Sequence, residues 1–382
     1  MRIGIDAQAA ATGNRSGLYT YLRCLTHELR QLPGNEVRML AVARRKGASR
    51  TNSESVLGAA FDGTPTTIVS PPRRLYRVWH RLSRCNRVDV LMHGLHGSLP
   101  RTTRGANVYV VPDVIPLGFD YGIPGFADGY REYYETAIRS GDALIVWSEH
   151  TKRDVLDKVG GNADQIWVCP LAAGPEFTPA DPSKVSDCLA RTGLAGDKYI
   201  LCVATLEKRK NHGLLLRAFE KLIRKDPHLP HKLVLVGGKW VGHEEVFESA
   251  RKLQLGDRFV YLGFADSLPL IYAGADAFVF PSLYEGFGLP PLEAMACGVP
   301  TLVANATALP EVIGDGGLLF DPHDEAKLAD MLRRVLTDRR YHRELGERAL
   351  TQAARYTWGR TAQDYMTAFR SGYERFHAKG AA

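Results

Sequence analysis

The chain has 382 residues, of which 45% are hydrophobic and 24% charged, and its formal net charge is +7. This length is too great for one ordinary core and suits two domains, and the composition is typical of a soluble globular protein. No stretch approaches the roughly 20 apolar residues of a membrane-spanning helix, so we expect no integral membrane protein. The six cysteines lack paired spacing, which disfavours a disulfide framework or a zinc site.

Short apolar runs rich in β-branched residues alternate with helical patterns of ten or more residues. This alternation predicts an α/β fold with two doubly wound, Rossmann-like domains, because near-continuous apolar runs are typical of parallel strands covered on both faces. The predicted strands are Arg2–Asp6, Val37–Val42, Val90–Met92, Val108–Val111, Leu144–Trp147, Tyr199–Ala204, Leu233–Val236, Phe259–Leu262, Ala277–Phe280, Thr301–Val303 and Leu318–Phe320.

The stretch Pro170–Pro182, which contains prolines and glycine, interrupts the pattern near the midpoint and is the predicted domain boundary. A last helix opens at Thr357, a plausible N-cap, and carries aromatic and apolar side chains at helical spacing. That helix needs a surface to cover. Residues 46–65, rich in Ser, Thr and Gly, are predicted to form a mobile loop.

Residues 73–87 hold six arginines and no acid, while Leu75, Val78, Trp79 and Leu82 fall at helical spacing. A basic amphipathic helix with a tryptophan can lie on an anionic membrane surface, which would suit a lipid-linked acceptor. The alternative is an ordinary helix whose apolar face joins the core and whose arginines are solvated. The sequence leaves both interpretations open.

A cationic turn that includes Arg209 and Lys210 lies between the predicted strand Tyr199–Ala204 and a predicted helix at Leu214–Leu222. Side-chain charge at a helix start adds to the helix dipole, which suits a pyrophosphate whose negative charge grows as a sugar leaves. The alternative is a solvated basic turn without a ligand.

The most informative segment, residues 281–298, follows the predicted strand Ala277–Phe280. Prolines stand where a first helical turn would begin and Gly298 where that helix would end, which predicts strand, glycine loop and short helix. Gly286 and Gly288 would let the backbone approach a ligand closely, and the helix start would attract a phosphate. The segment therefore predicts a diphosphate cradle.

Two carboxylates flank this cradle. Glu285 precedes the loop, and Glu293 lies about one turn into the predicted helix. Ionised carboxylates accept hydrogen bonds, which sugar and ribose hydroxyls donate. The alternative is that both glutamates only cap and solvate the helix.

Two glutamates separated by seven residues around Gly-Phe-Gly resemble the signature of retaining glycosyltransferase family 4, a group of the two-Rossmann-domain, GT-B type. The resemblance covers nearly the whole chain. It implies two domains that face each other across a cleft, residues 1–175 for the acceptor and 176–360 for the donor. The C-terminal helix, residues 361–382, would pack back on the N-terminal domain.

The resemblance also implies roles for single residues. Glu285 would bind donor-sugar hydroxyls and Glu293 the ribose, while Arg209 and Lys210 would supply positive charge to the phosphates. An arginine that some family members carry several residues earlier has no counterpart here. The backbone implied to hold sugar and phosphates is that of Gly286, Phe287, Gly288 and Leu289.

Three further candidates come from the same resemblance. Gly237 follows the predicted strand Leu233–Val236, where a backbone can pass close to the nucleotide. Gly17 ends a glycine loop that would lie across the cleft from the donor phosphates. Asp113 follows the strand Val108–Val111, where many relatives have His-Asp, and here a proline replaces the histidine.

We therefore expect a retaining, metal-independent hexosyltransferase that uses a GDP-, UDP- or dTDP-sugar as co-substrate and no cofactor. Its acceptor would be a glycan or lipid-linked saccharide in bacterial lipopolysaccharide or exopolysaccharide synthesis. No Asp-x-Asp metal motif is present, and no G-x-G-x-x-G follows the first strand, which disfavours an NAD-dependent oxidoreductase. A non-catalytic sugar-nucleotide-binding scaffold is the alternative, and nucleic-acid binding would not explain the glutamate and glycine segment.

The start of the chain is a strand pattern without the basic and apolar regions of a secretory signal. We therefore expect a cytoplasmic protein, peripheral at the inner face of the membrane if residues 73–87 bind lipid.

Overall fold

The computed structural model divides into two compact units. The first comprises Met1–Leu171 and Thr357–Ala382, and the second Ala172–Tyr356. The chain thus leaves the first unit inside the Pro170–Pro182 stretch. The residues that the structure describes are 1–7, 17–42, 61, 64–69, 87–94, 99, 101–121, 123–265 and 267–380.

Two predictions lie wholly or largely outside the described residues. Of the predicted loop at residues 46–65, the structure describes Phe61, Thr64 and Pro65, and of the arginine-rich segment at residues 73–87 only Arg87.

The described part of the first unit contains a parallel sheet of seven strands. They are β1 (Arg2–Asp6), β2 (Glu36–Val42), β3 (Thr66–Val69), β4 (Val90–His93), β5 (Ala106–Val110), β6 (Ala143–Val146) and β7 (Ile166–Val168). Their spatial order is β3-β2-β1-β4-β5-β6-β7, the doubly wound order extended by one edge strand. The helices described between them are α1 (Gly17–Gln31), α2 (Ile115–Gly118), α3 (Phe126–Ser140) and α4 (Glu149–Lys158).

The second unit, described except for residue 266, contains a parallel sheet of six strands in the order β10-β9-β8-β11-β12-β13. The strands are β8 (Tyr199–Val203), β9 (Lys232–Val236), β10 (Phe259–Gly263), β11 (Ala277–Phe280), β12 (Thr301–Ala304) and β13 (Leu318–Phe320). The helices are α5 (Pro182–Arg191), α6 (His212–Lys225), α7 (Glu244–Lys252), α8 (Leu268–Ala273), α9 (Leu289–Ala296), α10 (Leu309–Ile313), α11 (Glu325–Thr337) and α12 (Arg339–Ala353). The predicted fold class, with two doubly wound sheets, is confirmed.

Helices cover both faces of each sheet, so a strand needs apolar side chains on both sides. The continuous apolar runs of the sequence meet this need. All four residues of β11 are fully buried. The amphipathic helix α6 buries a stripe that includes Leu215, Phe219 and Leu222 in the same core. A 3₁₀ turn, Lys208–Lys210, connects β8 to this helix.

The last helix, α13 (Trp358–Gly380), belongs to the first unit, as predicted. The Thr357 hydroxyl oxygen accepts a hydrogen bond from the Arg360 N–H at 3.3 Å, which is the predicted N-cap. Deeper in the unit, the Tyr365 hydroxyl lies 3.0 Å from the Tyr21 hydroxyl and accepts a 3.0 Å bond from the Trp147 indole N–H. These buried bonds fix the helix in place. No helix of the described residues is long and apolar enough to cross a bilayer.

The order of the second sheet determines where a ligand can bind. The chain continues from β8 to β9 on one side, and it returns to β11 on the other side of β8. Ligands of open parallel sheets bind outside the carboxyl ends of the strands at such a switch point. The cationic turn follows β8 and the Glu285 loop follows β11, so the fold brings the two predicted elements to one place.

Candidate functional site

The loop that follows β11 is fixed at two points by hydrogen bonds that its main-chain N–H groups donate. The Leu283 N–H donates to the Arg209 carbonyl at 2.9 Å, and the Glu285 N–H donates to the Thr307 hydroxyl at 2.9 Å. The first bond joins the loop to the 3₁₀ turn, and the second joins it to the segment after β12. Glu285 therefore occupies a defined position between two neighbouring connections.

The side chains of Lys210, Arg209 and Glu285 form a buried ion cluster. Glu285 Oε1 lies 2.5 Å from Lys210 Nζ and 3.0 Å from Arg209 Nη1, so both cations share one carboxylate oxygen. Each of the three side chains is only 10–12% exposed. Burial strengthens these interactions, because the surroundings screen charge less than water does. The structure thus brings together three residues predicted for the site.

Charge in this cluster follows from opposing effects. Burial by itself would raise the pKa of Glu285, but the charges of Lys210 and Arg209 hold this pKa below its usual value. Burial lowers the pKa of Lys210, and the Glu285 carboxylate opposes that shift. Burial, together with the Lys210 charge, lowers the pKa of His212 to about 4, so its imidazole is neutral at pH 7.

The glycine loop enters α9 through a backbone conformation that requires glycine. Gly288 has φ 120°, and a Cβ atom there would lie 2.9 Å from Leu309 Cδ2. Pro290 and Pro291 in the first turn carry no N–H, so that turn offers a phosphate only the N–H of Leu289. A phosphate cradle at this position therefore depends on the amides of the loop more than on the helix start.

Glu293, the fifth residue of α9, points into the protein and is only 8% exposed. Its Oε2 accepts a 3.0 Å hydrogen bond from the hydroxyl of Tyr272, a fully buried residue of α8. Burial raises the pKa of Glu293 to about 7, and the negative charge of Glu176 adds to this shift. Glu293 is therefore partly protonated near neutral pH.

Replacement of Glu293 by glutamine is expected to stabilise the protein at high pH. The folded protein holds the Glu293 proton up to about pH 7, whereas the unfolded chain releases it near its ordinary value, so the free energy of unfolding falls with rising pH between these values. Glutamine has no proton to release. The advantage of Glu293→Gln should grow by about 2–3 kcal/mol between pH 5 and pH 8. Urea unfolding of both proteins at pH 5 and pH 8 measures this advantage. A difference in stability that does not change with pH would contradict the raised pKa of Glu293.

Gly237, a predicted donor-site residue, has a structural requirement of its own. Its φ is 144°, and a Cβ atom would lie 2.1 Å from the carbonyl oxygen of Ala204. Its N–H donates to the Gly263 carbonyl at 2.8 Å, and its own carbonyl accepts a bond from the Tyr261 hydroxyl at 2.8 Å. The backbone that approaches Gly237 closely is thus that of Ala204, at the end of the neighbouring strand β8. Its contact with a nucleotide stays a prediction.

A matched pair of glycine variants tests this geometry. Gly237→Ala should destabilise the protein by about 3 kcal/mol or more, because it combines a strained φ with a clash against backbone. Gly238→Ala should cost less than about 1 kcal/mol, because its Cβ would meet only the ring of Phe264 at 2.8 Å, and that exposed ring can swing away. Denaturant unfolding of both variants gives the comparison. Equal losses would show that the strand end does not constrain Gly237.

The two candidates for the acceptor side lie in the first unit. Asp113 follows β5 and is half-buried, and its Oδ1 accepts a 3.0 Å hydrogen bond from the N–H of Ile115. Gly17 is the exposed first residue of α1. The Asp113 carboxylate therefore orders the start of α2, and its role toward an acceptor stays a prediction.

Three residues that support the site were not assigned a role from the sequence. Tyr272 binds Glu293 and Thr307 binds the Glu285 N–H, in each case across more than twenty residues of sequence. No local pattern marks such contacts. Glu207 is the residue of these three whose role could have been predicted from the sequence, because it stands two residues before Arg209. Its Oε1 lies 2.6 Å from Arg209 Nη2.

Known proteins of one family are similar to this chain within the second unit, which contains the candidate donor site. Residues 190–352 match the family described as Glycosyl transferases group 1, a range that contains the ion cluster and Glu293. The chain is 31% identical over 236 residues to the O-antigen chain mannosyltransferase B of Escherichia coli, covering 61% of this chain and 62% of that protein. It is 34% identical over 272 residues to the serotype-specific mannosyltransferase WbdA of Escherichia coli, covering 67% of this chain and 32% of that protein. The matched part is thus less than two thirds of either relative.

The whole fold also has counterparts among solved structures. The crystal structure of Anabaena Alr3699/HepE in complex with UDP and glucose matches 97% of this chain and 100% of that chain, with a TM-score of 0.77. The sequence identity is 19%, so this likeness concerns the fold alone. The chain therefore shares its fold with these structures, and residues 190–352 of its second unit match the glycosyl transferases group 1 family.

Proposed function

We propose that this protein transfers a sugar from a nucleoside diphosphate to a hydroxyl of a glycan or lipid-linked saccharide. The observation that carries the proposal is the buried cluster of Lys210, Arg209 and Glu285 at the switch point of the second sheet. Its cations suit a diphosphate, and its carboxylate suits the hydroxyls of a sugar. The names of the Escherichia coli relatives favour a hexose such as mannose and a surface polysaccharide product.

Each part of the donor has a proposed partner. Lys210 binds the phosphates, Glu285 the hydroxyls of the sugar, and Glu293 those of the ribose. The backbone of residues 286–289 lies along the sugar and phosphates, with Gly237 beside the nucleotide. On the acceptor side we propose roles for Asp113 and Gly17, both of the first unit.

The chemistry that we propose retains the anomeric configuration. The bond from the anomeric carbon to the phosphate oxygen breaks, the acceptor oxygen bonds to the same carbon, and the acceptor proton passes to the departing phosphate on the same face. Retaining glycosidases instead use a carboxylate nucleophile on the opposite face. Here Glu285 is held by two cations and Glu293 by Tyr272, so both carboxylates serve better as hydroxyl acceptors than as nucleophiles. The protein then contributes position and charge.

A donor panel tests the proposal. The purified chain is incubated with UDP-, GDP- and dTDP-sugars, with and without EDTA, and with mannose and glucose glycosides as acceptors, while released nucleoside diphosphate is measured. We expect release from at least one donor, insensitive to EDTA, and a product whose NMR coupling constants show a retained anomer. Binding without any release would favour a sugar-nucleotide-binding scaffold, and no binding at all would contradict the proposal.

Association with anionic membrane through residues 73–87 is a separate proposal. Flotation with liposomes that contain an anionic phospholipid compares the wild type with a charge reversal at Arg73, Arg74 and Arg77. Loss of flotation in the variant supports membrane contact, and equal behaviour of the two proteins contradicts it.

A further inference from the structure

Arg209 and Lys210 are adjacent cations, but their surroundings differ. The Arg209 guanidinium is held by the protein: Nη2 contacts Glu207 Oε1 at 2.6 Å, and Nη1 contacts the Tyr284 carbonyl at 2.5 Å and Glu285 Oε1 at 3.0 Å. Lys210 Nζ, by contrast, contacts the Glu285 carboxylate and lies 5.0 Å from the centre of the Phe280 ring.

The backbone of Arg209 also joins the 3₁₀ turn to the loop that follows β11. Its carbonyl accepts bonds from the Leu283 N–H at 2.9 Å and the Ser282 hydroxyl at 3.4 Å. A planar guanidinium has N–H groups in fixed directions, so a partner on one side determines where the others point. Glu207 is such a partner, since it is buried beside Arg209 and its own carbonyl accepts the Lys210 N–H at 3.1 Å.

We propose that Glu207 and Arg209 are positioning residues, and that Lys210 alone of the two cations contacts the donor phosphates. Glu207 orients the guanidinium, and the guanidinium holds the Tyr284 carbonyl and the Glu285 carboxylate where a donor sugar reaches them. This assignment rests on the proposed function. Arg209 then affects the donor only indirectly, by holding Glu285 in position, and does not itself supply charge to the phosphates.

The assignment separates two quantities that direct phosphate contact would change together. A positioning role predicts that Glu207→Gln and Arg209→Lys bind UDP or GDP with a Kd within about threefold of wild type, while kcat for the nucleotide sugar falls at least about thirtyfold. The double variant should lose no more activity than the more impaired single variant, because each change abolishes the same oriented guanidinium.

The experiment uses the full chain, isothermal titration with UDP and GDP, and turnover of whichever donor the wild type uses. Glu245→Gln is the matched control, because it removes an exposed carboxylate that lies 3.6 Å from Lys208 in the same turn, and it should change neither quantity. Thermal unfolding with circular dichroism identifies a variant that fails to fold, and Arg209→Lys then stands in for Glu207→Gln.

Two outcomes would overturn the assignment. A tenfold or larger loss of nucleoside diphosphate affinity in Arg209→Lys would place the guanidinium on the phosphates, and unchanged kcat in both variants would remove any positioning role. A wild type that neither binds nor turns over a nucleotide contradicts the proposed function itself, which distinguishes that failure from failure of the positioning role.

Discussion

Replacing Lys210 by methionine is expected to lower kcat/KM for the donor by about 10²–10³-fold, the range found when one charge-stabilising group is removed from an active site. Methionine keeps much of the side-chain volume but removes the ammonium that lies beside Glu285. The remaining cluster of Glu207, Arg209 and Glu285 then carries a net negative charge, which repels a diphosphate. Affinity for the free nucleoside diphosphate should therefore fall together with the rate.

Lys208→Met is the control for this variant. Lys208 belongs to the same turn, but its side chain is 65% exposed and its charge is screened by water. We expect it to retain wild-type affinity and rate. Equal losses in the two variants would mean that the general charge of the turn, and not the buried ammonium, is responsible.

Replacing Glu285 by glutamine should have the opposite effect on nucleotide affinity. Two buried cations then lose their shared counter-charge, and breaking a buried ion pair in this way typically costs about 3–5 kcal/mol of folding stability. A bound diphosphate restores the missing negative charge. We therefore expect a less stable free protein, UDP or GDP affinity equal to or tighter than that of wild type, and a larger rise in melting temperature when the nucleotide is added.

Turnover of the nucleotide sugar should nevertheless fall by about 10²-fold in Glu285→Gln, since the proposed contact with the sugar hydroxyls loses its charge. Calorimetry and donor turnover on the same preparation separate the two effects. If nucleotide affinity fell as strongly as in Lys210→Met, Glu285 would not compete with phosphate for Lys210, and the proposed roles of Glu285 and Lys210 would be wrong.

Much of the fold could be predicted because apolar runs in doubly wound sheets are long and bounded by turns. Each predicted strand is present, with ends that differ by two residues or fewer. The strands Thr66–Val69 and Ile166–Val168 were not predicted. Both lie at the edges of the first sheet, but their length is not the reason, since the predicted strand Leu318–Phe320 also has three residues. Thr66–Val69 lacks a continuous apolar run, because its first two residues are threonines.

The candidate site was predicted in part for a similar reason. Glycine, proline and glutamate at fixed spacing identify the loop before α9, and strand order explains why Lys210 meets Glu285 across 75 residues of sequence. The partners of these residues could not be predicted, because Tyr272 and Thr307 act through single contacts that leave no pattern. Local backbone geometry could not be predicted from the sequence either. The φ of Gly237 and its contact with Ala204, for example, depend on the packing of two strands.

The proposed donor site is tested by a crystal structure of the full chain with the nucleoside diphosphate of its donor. We expect phosphate oxygens within about 3 Å of Lys210 Nζ and of the amides of residues 286–289, with the ribose hydroxyls on Glu293. Lys210 should then have exchanged part of its contact with Glu285 for a contact with the phosphate. A nucleotide bound elsewhere, with the cluster of Lys210, Arg209 and Glu285 unchanged, would contradict it.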